Sequence, residues 1–226
     1  MLMKRFFACV LCILSLFSLF GFSVNAAEDL SAADIAEEII SKIDSVVFLN
    51  TEQNKIIFDE SSIVAICNEI DLDVLNEFYQ RAGLPSVTKR ELAYLYVDGI
   101  NSANQSLEKG EYRMLAGGTI VSTQDDEYYL QGGSTYDETK WWGRRRYKST
   151  AAANRWAYEL NQCAAINAGA AAVGGAVFGG VGAIPNGITS AYCWMFANSV
   201  TYYNSLSNRG IVADITWIFV YKVRTQ

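Results

Sequence analysis

The longest uncharged segment of the chain is residues 160–208, LNQCAAINAGAAAVGGAVFGGVGAIPNGITSAYCWMFANSVTYYNSLSN. No Asp, Glu, Lys or Arg occurs in these 49 residues, whereas soluble domains carry charge on about a quarter of their residues. The segment therefore consists either of two consecutive buried elements or of surface that faces lipid. The sequence leaves both interpretations open.

Pro185 divides this segment into two predicted helices, 151–173 and 187–207. Alanine, the best helix former, dominates the first, and Ser149 or Thr150 can cap it. Together they form a predicted Ala/Gly-rich helical hairpin, which would either enter a bilayer or pack as a soluble core. Small residues at every fourth position would let two helices approach closely. These predicted helix-packing residues are Ala171, Gly175, Gly179 and Ala183.

A cluster of cations and aromatic rings, WWGRRRYK at 141–148, precedes the hairpin. Such a composition is typical of membrane interfaces and also of nucleic-acid surfaces. A solvated basic turn is the alternative without a binding role. The residues predicted to dock on an anionic membrane are Trp141, Trp142, Arg144, Arg145, Arg146, Lys148 and Trp156.

The first 26 residues have the pattern of a secretory signal peptide. Lys4 and Arg5 precede an apolar run at 6–22, and small residues follow at 24–26. An uncleaved membrane anchor is the alternative. Secretion would make lipid or a cell-envelope polymer, rather than nucleic acid, the anionic partner of the cluster.

Residues 27–133 are predicted to form an acidic, mainly helical region. Apolar periodicity indicates a helix at 30–48, and Thr88 with Glu91 forms a capping-box pattern before a helix that extends to about Leu107. Short strands are expected within 112–130. Glycines at 132 and 133 mark the predicted boundary with a second domain, 134–226.

Charge supports this division into two domains. Residues 27–140 contain 22 acidic and 8 basic side chains, a net charge of −14, whereas residues 141–226 contain 2 acidic and 8 basic ones, a net charge of +6. Apolar residues alternate with polar ones at 211–224, which predicts one long terminal strand that needs a partner, for which 112–130 is the best candidate. The predicted fold class is α+β.

Several kinds of chemistry are excluded or lack a signal. The chain has no histidine, which excludes Ser-His and Cys-His nucleophile pairs and His-containing zinc sites. No phosphate-binding loop or dinucleotide fingerprint occurs, and no pair of carboxylates is singled out for glycoside hydrolysis. We therefore expect a protein that is not an enzyme, with no metal and no cofactor.

Three cysteines remain after the signal segment, and two of them lie in the uncharged segment. Because secretion permits disulfides, Cys163 and Cys193 are the candidate pair. The alternative is that all three, Cys67 included, are small buried apolar side chains.

The last 90 or so residues resemble the secreted bacteriocin-like proteins of Gram-positive bacteria. The resemblance rests on Trp141-Trp142-Gly143 followed by basic residues, the Ala/Gly-rich helix containing Asn167-Ala168-Gly169, the break at Pro185 and the closing strand with Trp217. It implies permeabilisation of membranes. The large acidic N-terminal region departs from the pattern of the short bacteriocins.

Two functional hypotheses follow from these patterns. The first is a secreted membrane-active protein whose cationic cluster binds anionic membrane and whose uncharged hairpin inserts. The second is a non-enzymatic extracellular binding or structural protein in which the hairpin is a soluble core and aromatic residues supply the contact surface. Inhibition of, or immunity to, a partner protein is a third possibility.

Overall fold

The computed structural model describes residues 26–123, 128–130, 133–165, 177 and 189–226. These residues form a mixed α+β fold, as predicted for the fold class. Its helices are α1 (Ala26–Asp44), α2 (Glu60–Asn68), α3 (Asp73–Arg81), α4 (Lys89–Glu108), α5 (Thr150–Ala165) and α6 (Ser190–Ser205). The predicted capping box of α4 is confirmed, because the Thr88 hydroxyl accepts from the Glu91 N–H while Glu91 accepts from the Thr88 N–H.

The strands form two antiparallel sheets within the described residues. They are β1 (Val47–Asn50), β2 (Lys55–Phe58), β3 (Tyr112–Met114), β4 (Ile120–Ser122), β5 (Tyr128–Leu130), β6 (Gly133–Lys140), β7 (Gly143–Lys148), β8 (Ile211–Thr216) and β9 (Tyr221–Thr225). The first two form a hairpin of their own. The others form the main sheet in the order β3-β4-β6-β7-β8-β9, with β5 also paired to β6.

The centre of the main sheet is the hairpin of β6 and β7. Trp141 and Trp142 make its two-residue turn, since Lys140 pairs with Gly143. Gly143 allows the next strand to lie close, because a Cβ at this position would lie 2.1 Å from the carbonyl oxygen of Ile215 in β8. Residues 133–134, where the sequence predicts a domain boundary, begin β6, and the sheet continues across this point because β4 pairs with β6.

The prediction of one long terminal strand is wrong. Residues 211–225 form two antiparallel strands, β8 and β9, and the neighbour of β8 is β7 rather than 112–130. The turn between them is stabilised because the Thr216 N–H donates to the Val220 carbonyl and the Phe219 N–H donates to the Thr216 carbonyl. Phe219 adopts a φ of 61°, which an extended strand does not permit.

The apolar side chains of this turn insert between the other elements. The Trp217 indole N–H donates to the Trp141 carbonyl at 2.6 Å, and the Tyr79 hydroxyl of α3 donates to the Ile218 carbonyl. Gly99 of α4 lies directly against the Trp217 ring, where a Cβ would meet ring carbon Cγ at 2.3 Å. The N-terminal helices therefore pack around the C-terminal turn.

Helices α5 and α6 pack against each other and against the main sheet. Trp156 of α5 meets the edge of Phe196 of α6 at 5.0 Å, and Phe196 stacks on Tyr221 of β9 at 4.4 Å. Asn204 bridges the two helices by donating to the Thr150 carbonyl and the Asn154 side chain. No helix within the described ranges has both the length and the apolar character needed to cross a membrane.

Candidate functional site

Strand β7 places its three consecutive arginines on both faces of the main sheet. Side chains alternate along a strand, so Arg144, Arg146 and Lys148 share the face that carries α5, whereas Arg145 and Tyr147 lie on the opposite face. Asp137 of β6 is directly opposite Arg146 in the pairing. The sequence WWGRRRYK thus produces two separate charge clusters.

The first cluster, which we call the Asp137 cluster, consists of Asp137, Arg144, Arg146 and Lys148. Lys148 Nζ lies 2.8 Å from Asp137 Oδ1, Arg146 Nε lies 3.1 Å from Oδ2, and Arg144 Nη2 lies 3.4 Å from Oδ2. Trp156 of α5 covers it, with its ring centroid 4.6 Å from the Arg146 guanidinium carbon. Three cations therefore share one carboxylate beneath a helix, and the cluster has a net charge of +2.

Burial and charge act in opposite directions on the Asp137 carboxylate. Burial by itself would raise its pKa, but the positive charges of Arg146, Lys148 and Arg144 lower the pKa to about 2. For Lys148, burial and the neighbouring Arg146 lower the pKa of the ammonium group, against the attraction of Asp137. The Asp137 carboxylate is thus ionised at neutral pH and is held so by an excess of positive charge.

Arg144 is the least compensated member of the Asp137 cluster. Its side chain is 3% exposed, and neither Nε nor Nη1 has a hydrogen-bond partner among the residues that the structure describes. Each buried donor without a partner costs about 1–3 kcal/mol relative to its hydrated state. The cluster therefore stores electrostatic free energy rather than only stabilising the sheet.

The second cluster, which we call the Asp214 cluster, lies on the opposite face and comprises Asp214, Arg145 and Arg224. Arg145 binds both carboxylate oxygens of Asp214, with Nε at 2.6 Å from Oδ1 and Nη2 at 3.0 Å from Oδ2. Arg224 Nη1 lies 2.7 Å from Oδ2. The hydrogen bond to Asp214 raises the pKa of Arg145. The Arg145 guanidinium also lies 5.9 Å from the ring centroid of Trp142.

A cavity of about 330 Å³ lies between the Asp137 cluster and the first turns of α5. Its walls carry several hydrogen-bond donors and one carboxylate, Glu159. The residues that line it are Thr135, Arg146, Lys148, Ala151, Ala152, Arg155, Trp156 and Glu159. The Arg155 side chain is exposed and makes no ion pair within the described part of the chain. The cavity is thus a concave surface with more positive than negative charge.

The seven residues predicted to dock on a membrane do not form an exposed cluster. Four of them, Trp141, Arg144, Arg146 and Trp156, are buried, and Trp142, Arg145 and Lys148 are partly buried. The reason is that they alternate between the two faces of a central strand or lie in its turn and under its helix. Their cations bind Asp137 and Asp214 instead of facing outward.

The predicted disulfide is also absent, because Cys163 and Cys193 are both free thiols in the structure. They lie on neighbouring helices, α5 and α6, where Cys193 is buried and Cys163 is half-buried. Burial raises the pKa of both, that of Cys193 to about 12, which favours the protonated thiol over the nucleophilic thiolate. The helix-packing positions Ala171, Gly175, Gly179 and Ala183 lie outside the described residues.

Sequence reasoning missed Asp137, Asp214, Thr135 and Arg155. A signal for the first existed in the charges on either side of Trp141 and Trp142. Asp137 and Glu138 precede this pair at the same spacing at which Arg146 and Arg145 follow it, as a hairpin with cross-strand ion pairs requires. No comparable signal pairs Asp214 with Arg145, because the two residues are 69 positions apart.

The described residues contain no group of three or more side chains suited to holding a metal ion. No protein-family model, curated protein or solved structure matches the chain. The proposed function therefore rests on the geometry of the site.

Proposed function

We propose that this is a secreted, non-enzymatic extracellular binding protein in which α5 and α6 belong to the folded core. One observation supports this proposal above all: the cations of WWGRRRYK are engaged by Asp137 and Asp214 inside the sheet. Docking these cations on lipid would require them to leave these carboxylates. Separating a buried cation from its partner costs about 3–5 kcal/mol, so a membrane surface has to compete with the protein's own carboxylates.

The cavity beside the Asp137 cluster is the surface that supports a binding role most directly. It combines a positively charged wall with the N-terminal end of a 16-residue helix, α5. Its volume lies at the lower end of the range of small-molecule pockets, about 300–1,000 Å³. The chain has no histidine that could activate the Thr135 hydroxyl of the lining as a nucleophile, which supports binding rather than catalysis.

The experiment that tests this function measures whether the folded protein binds to a membrane. Residues 27–226 would be heated with and without vesicles of anionic phospholipid, and sedimentation of the protein with the vesicles would be measured. We expect one cooperative thermal transition and no sedimentation. Sedimentation of most of the protein at micromolar concentration, with loss of the transition, would refute the binding-protein proposal.

A second candidate function is the membrane activity that the resemblance to bacteriocin-like proteins implies. The observation in its favour is that large aromatic side chains on the outer surfaces of α5 and α6 remain exposed. They are Tyr158, Trp194 and Tyr202. Aromatic rings of this kind anchor proteins at membrane interfaces, and the uncharged segment connects the two helices.

Dye release from anionic vesicles distinguishes membrane activity from the proposed binding function. The matched variants are Trp194→Ala, which removes an exposed ring, and Phe48→Ala, which removes a still more exposed ring from the β1–β2 hairpin. If the C-terminal helices insert, the first variant loses release and the second retains it. Equal release by both variants, or none by the unaltered chain, would exclude insertion through α6.

A further inference from the structure

We propose that the cavity at the start of α5 binds the phosphate group of a small phosphorylated molecule. This inference rests on the proposed binding function and specifies its ligand. It is carried by the cavity, by the excess positive charge of the Asp137 cluster next to it, and by donors in the lining that remain available to a ligand, chiefly those of Lys148 and Arg155.

The charge of the site is the first argument. Asp137 is shared by three cations, so the cluster retains a net charge of +2, and Arg146 and Lys148 reach the cavity wall. Arg155 adds a further cation at the exposed rim, whereas Glu159 is the one carboxylate among the lining residues. A dianionic group would compensate the cluster, which a neutral ligand would not do.

The available donors are the second argument. Arg146 contributes charge rather than free N–H groups, since Asp137 and the Val177 carbonyl engage it. The Lys148 ammonium group uses one of its three protons on Asp137. The Arg155 guanidinium and the Ala151 N–H have no partner in the described ranges, and the Thr135 hydroxyl, which accepts from the Ser149 N–H, can still donate.

These donors suit a tetrahedral oxyanion better than a carboxylate. They come from two strands and a helix and line one space from several directions, whereas a planar carboxylate is satisfied by one forked guanidinium. The exposed N–H at the start of α5 adds the favourable end of the helix dipole. With about 330 Å³, the cavity also has space for the molecule that carries the phosphate group.

Isothermal titration calorimetry on residues 27–226 tests the inference with four probes: inorganic phosphate, glucose 6-phosphate, glucose and acetate. We expect glucose 6-phosphate to bind more tightly than inorganic phosphate, and glucose and acetate to give no heat of binding. Equal or tighter binding of inorganic phosphate would mean that the site holds the free ion, which contradicts the proposal of a small phosphorylated molecule. Binding of acetate with similar affinity would contradict the choice of phosphate.

Three substitutions locate the binding site. Arg155→Gln removes the rim cation and is expected to weaken binding about tenfold or more, as the loss of a charged hydrogen bond does. Glu159→Gln removes the opposing carboxylate and is expected to strengthen binding several-fold. The matched control, Arg113→Gln, removes an exposed arginine of β3 outside the cavity lining and should leave the affinity unchanged.

The outcomes separate failure of this inference from failure of the proposed function. Each variant is first checked for the thermal transition of the unaltered chain, which Arg155→Gln should retain because the side chain is exposed. A folded chain that binds none of the phosphates overturns the phosphate site but leaves the binding-protein proposal intact. Equal affinity of Arg155→Gln and the unaltered chain for glucose 6-phosphate also overturns it. A chain that sediments with vesicles and lacks the transition overturns the proposed function itself.

Discussion

The two charge clusters of β7 contain the same kinds of residue and differ in their surroundings. In the Asp214 cluster, two arginines satisfy one carboxylate at short distances, and Arg224 remains exposed to solvent. In the Asp137 cluster, three cations share one carboxylate under α5, and two Arg144 nitrogens have no partner within the described ranges. Adjacent residues of one strand therefore belong to a partly exposed cluster of one carboxylate and two arginines on one face, and to a buried cluster with excess positive charge on the other.

Removing the single carboxylate of each cluster should give the largest difference between them. Asp137→Asn leaves two buried arginines and the partly buried Lys148 without a counterion, so we expect the free energy of unfolding to fall by about 3–5 kcal/mol. Asp214→Asn, the matched control, should cost about 1 kcal/mol because its arginines can be solvated. Urea unfolding measures both. Equal losses would contradict the contrast between the two faces.

Acid should remove the contribution of Asp137 selectively. The folded pKa of about 2 lies below the unfolded value of about 3.9, so the ionised carboxylate stabilises the fold above the unfolded pKa. This contribution, about 2–3 kcal/mol, is lost as the pH falls from about 4 through 2. The measurement compares unfolding of the unaltered chain and Asp137→Asn between pH 6 and pH 2.

Over that pH range, the difference in stability between the two proteins should shrink as the pH decreases. The comparison with the variant cancels the titration of the other acidic residues, which both proteins share. A difference that stays constant down to pH 2 would show that Asp137 keeps its proton affinity on folding, in conflict with a carboxylate surrounded by three cations.

The contrast between the two faces also shows which parts of the fold the sequence could predict. Helix α4 was predictable because Thr88 and Glu91 form a local capping box. The turn at 217–220 was not, since its residues are apolar and buried on every side. An apolar residue stands at every odd position from 211 to 223, across the turn as well as in the strands, so the sequence gives no sign that β8 ends at Thr216.

The candidate site was harder to predict because the sequence shows which residues are charged but not which of them form ion pairs. A run of arginines beside tryptophans indicates an anionic target, and here that target includes carboxylates of the same chain, Asp137 and Asp214. The acidic residues before the Trp141–Trp142 turn and the basic residues after it stand at equal distances from the turn, and this spacing indicated that Asp137 pairs with an arginine. The pairing of β7 with β8, which brings Asp214 beside Arg145, depends on contacts 69 residues apart.

Replacing one arginine on each face should change stability in opposite directions. Arg144→Met removes a buried cation with two unpaired nitrogens and keeps much of its apolar volume, so we expect a gain of about 1 kcal/mol in the free energy of unfolding. Arg145→Met removes a bidentate partner of Asp214 and should cost about 1 kcal/mol. Thermal unfolding of the two variants provides the measurement, and a loss on both would mean that Arg144 has a favourable role in the fold.

The smallest expected effect concerns the exposed edge of the Asp214 cluster. Arg224 is 42% exposed in its side chain and approaches Asp214 from the solvent side, so Arg224→Gln should cost about 0.5 kcal/mol at low ionic strength. Because salt screens exposed charges over about 3 Å at 1 M, that cost should nearly disappear in 1 M NaCl. The cost of Asp137→Asn should persist in the same salt, since the Asp137 side chain is only 13% exposed and lies next to its cations. Urea titrations of both variants at the two salt concentrations test this, and equal salt sensitivity would mean that the Asp137 cluster is as accessible to ions as the Asp214 cluster.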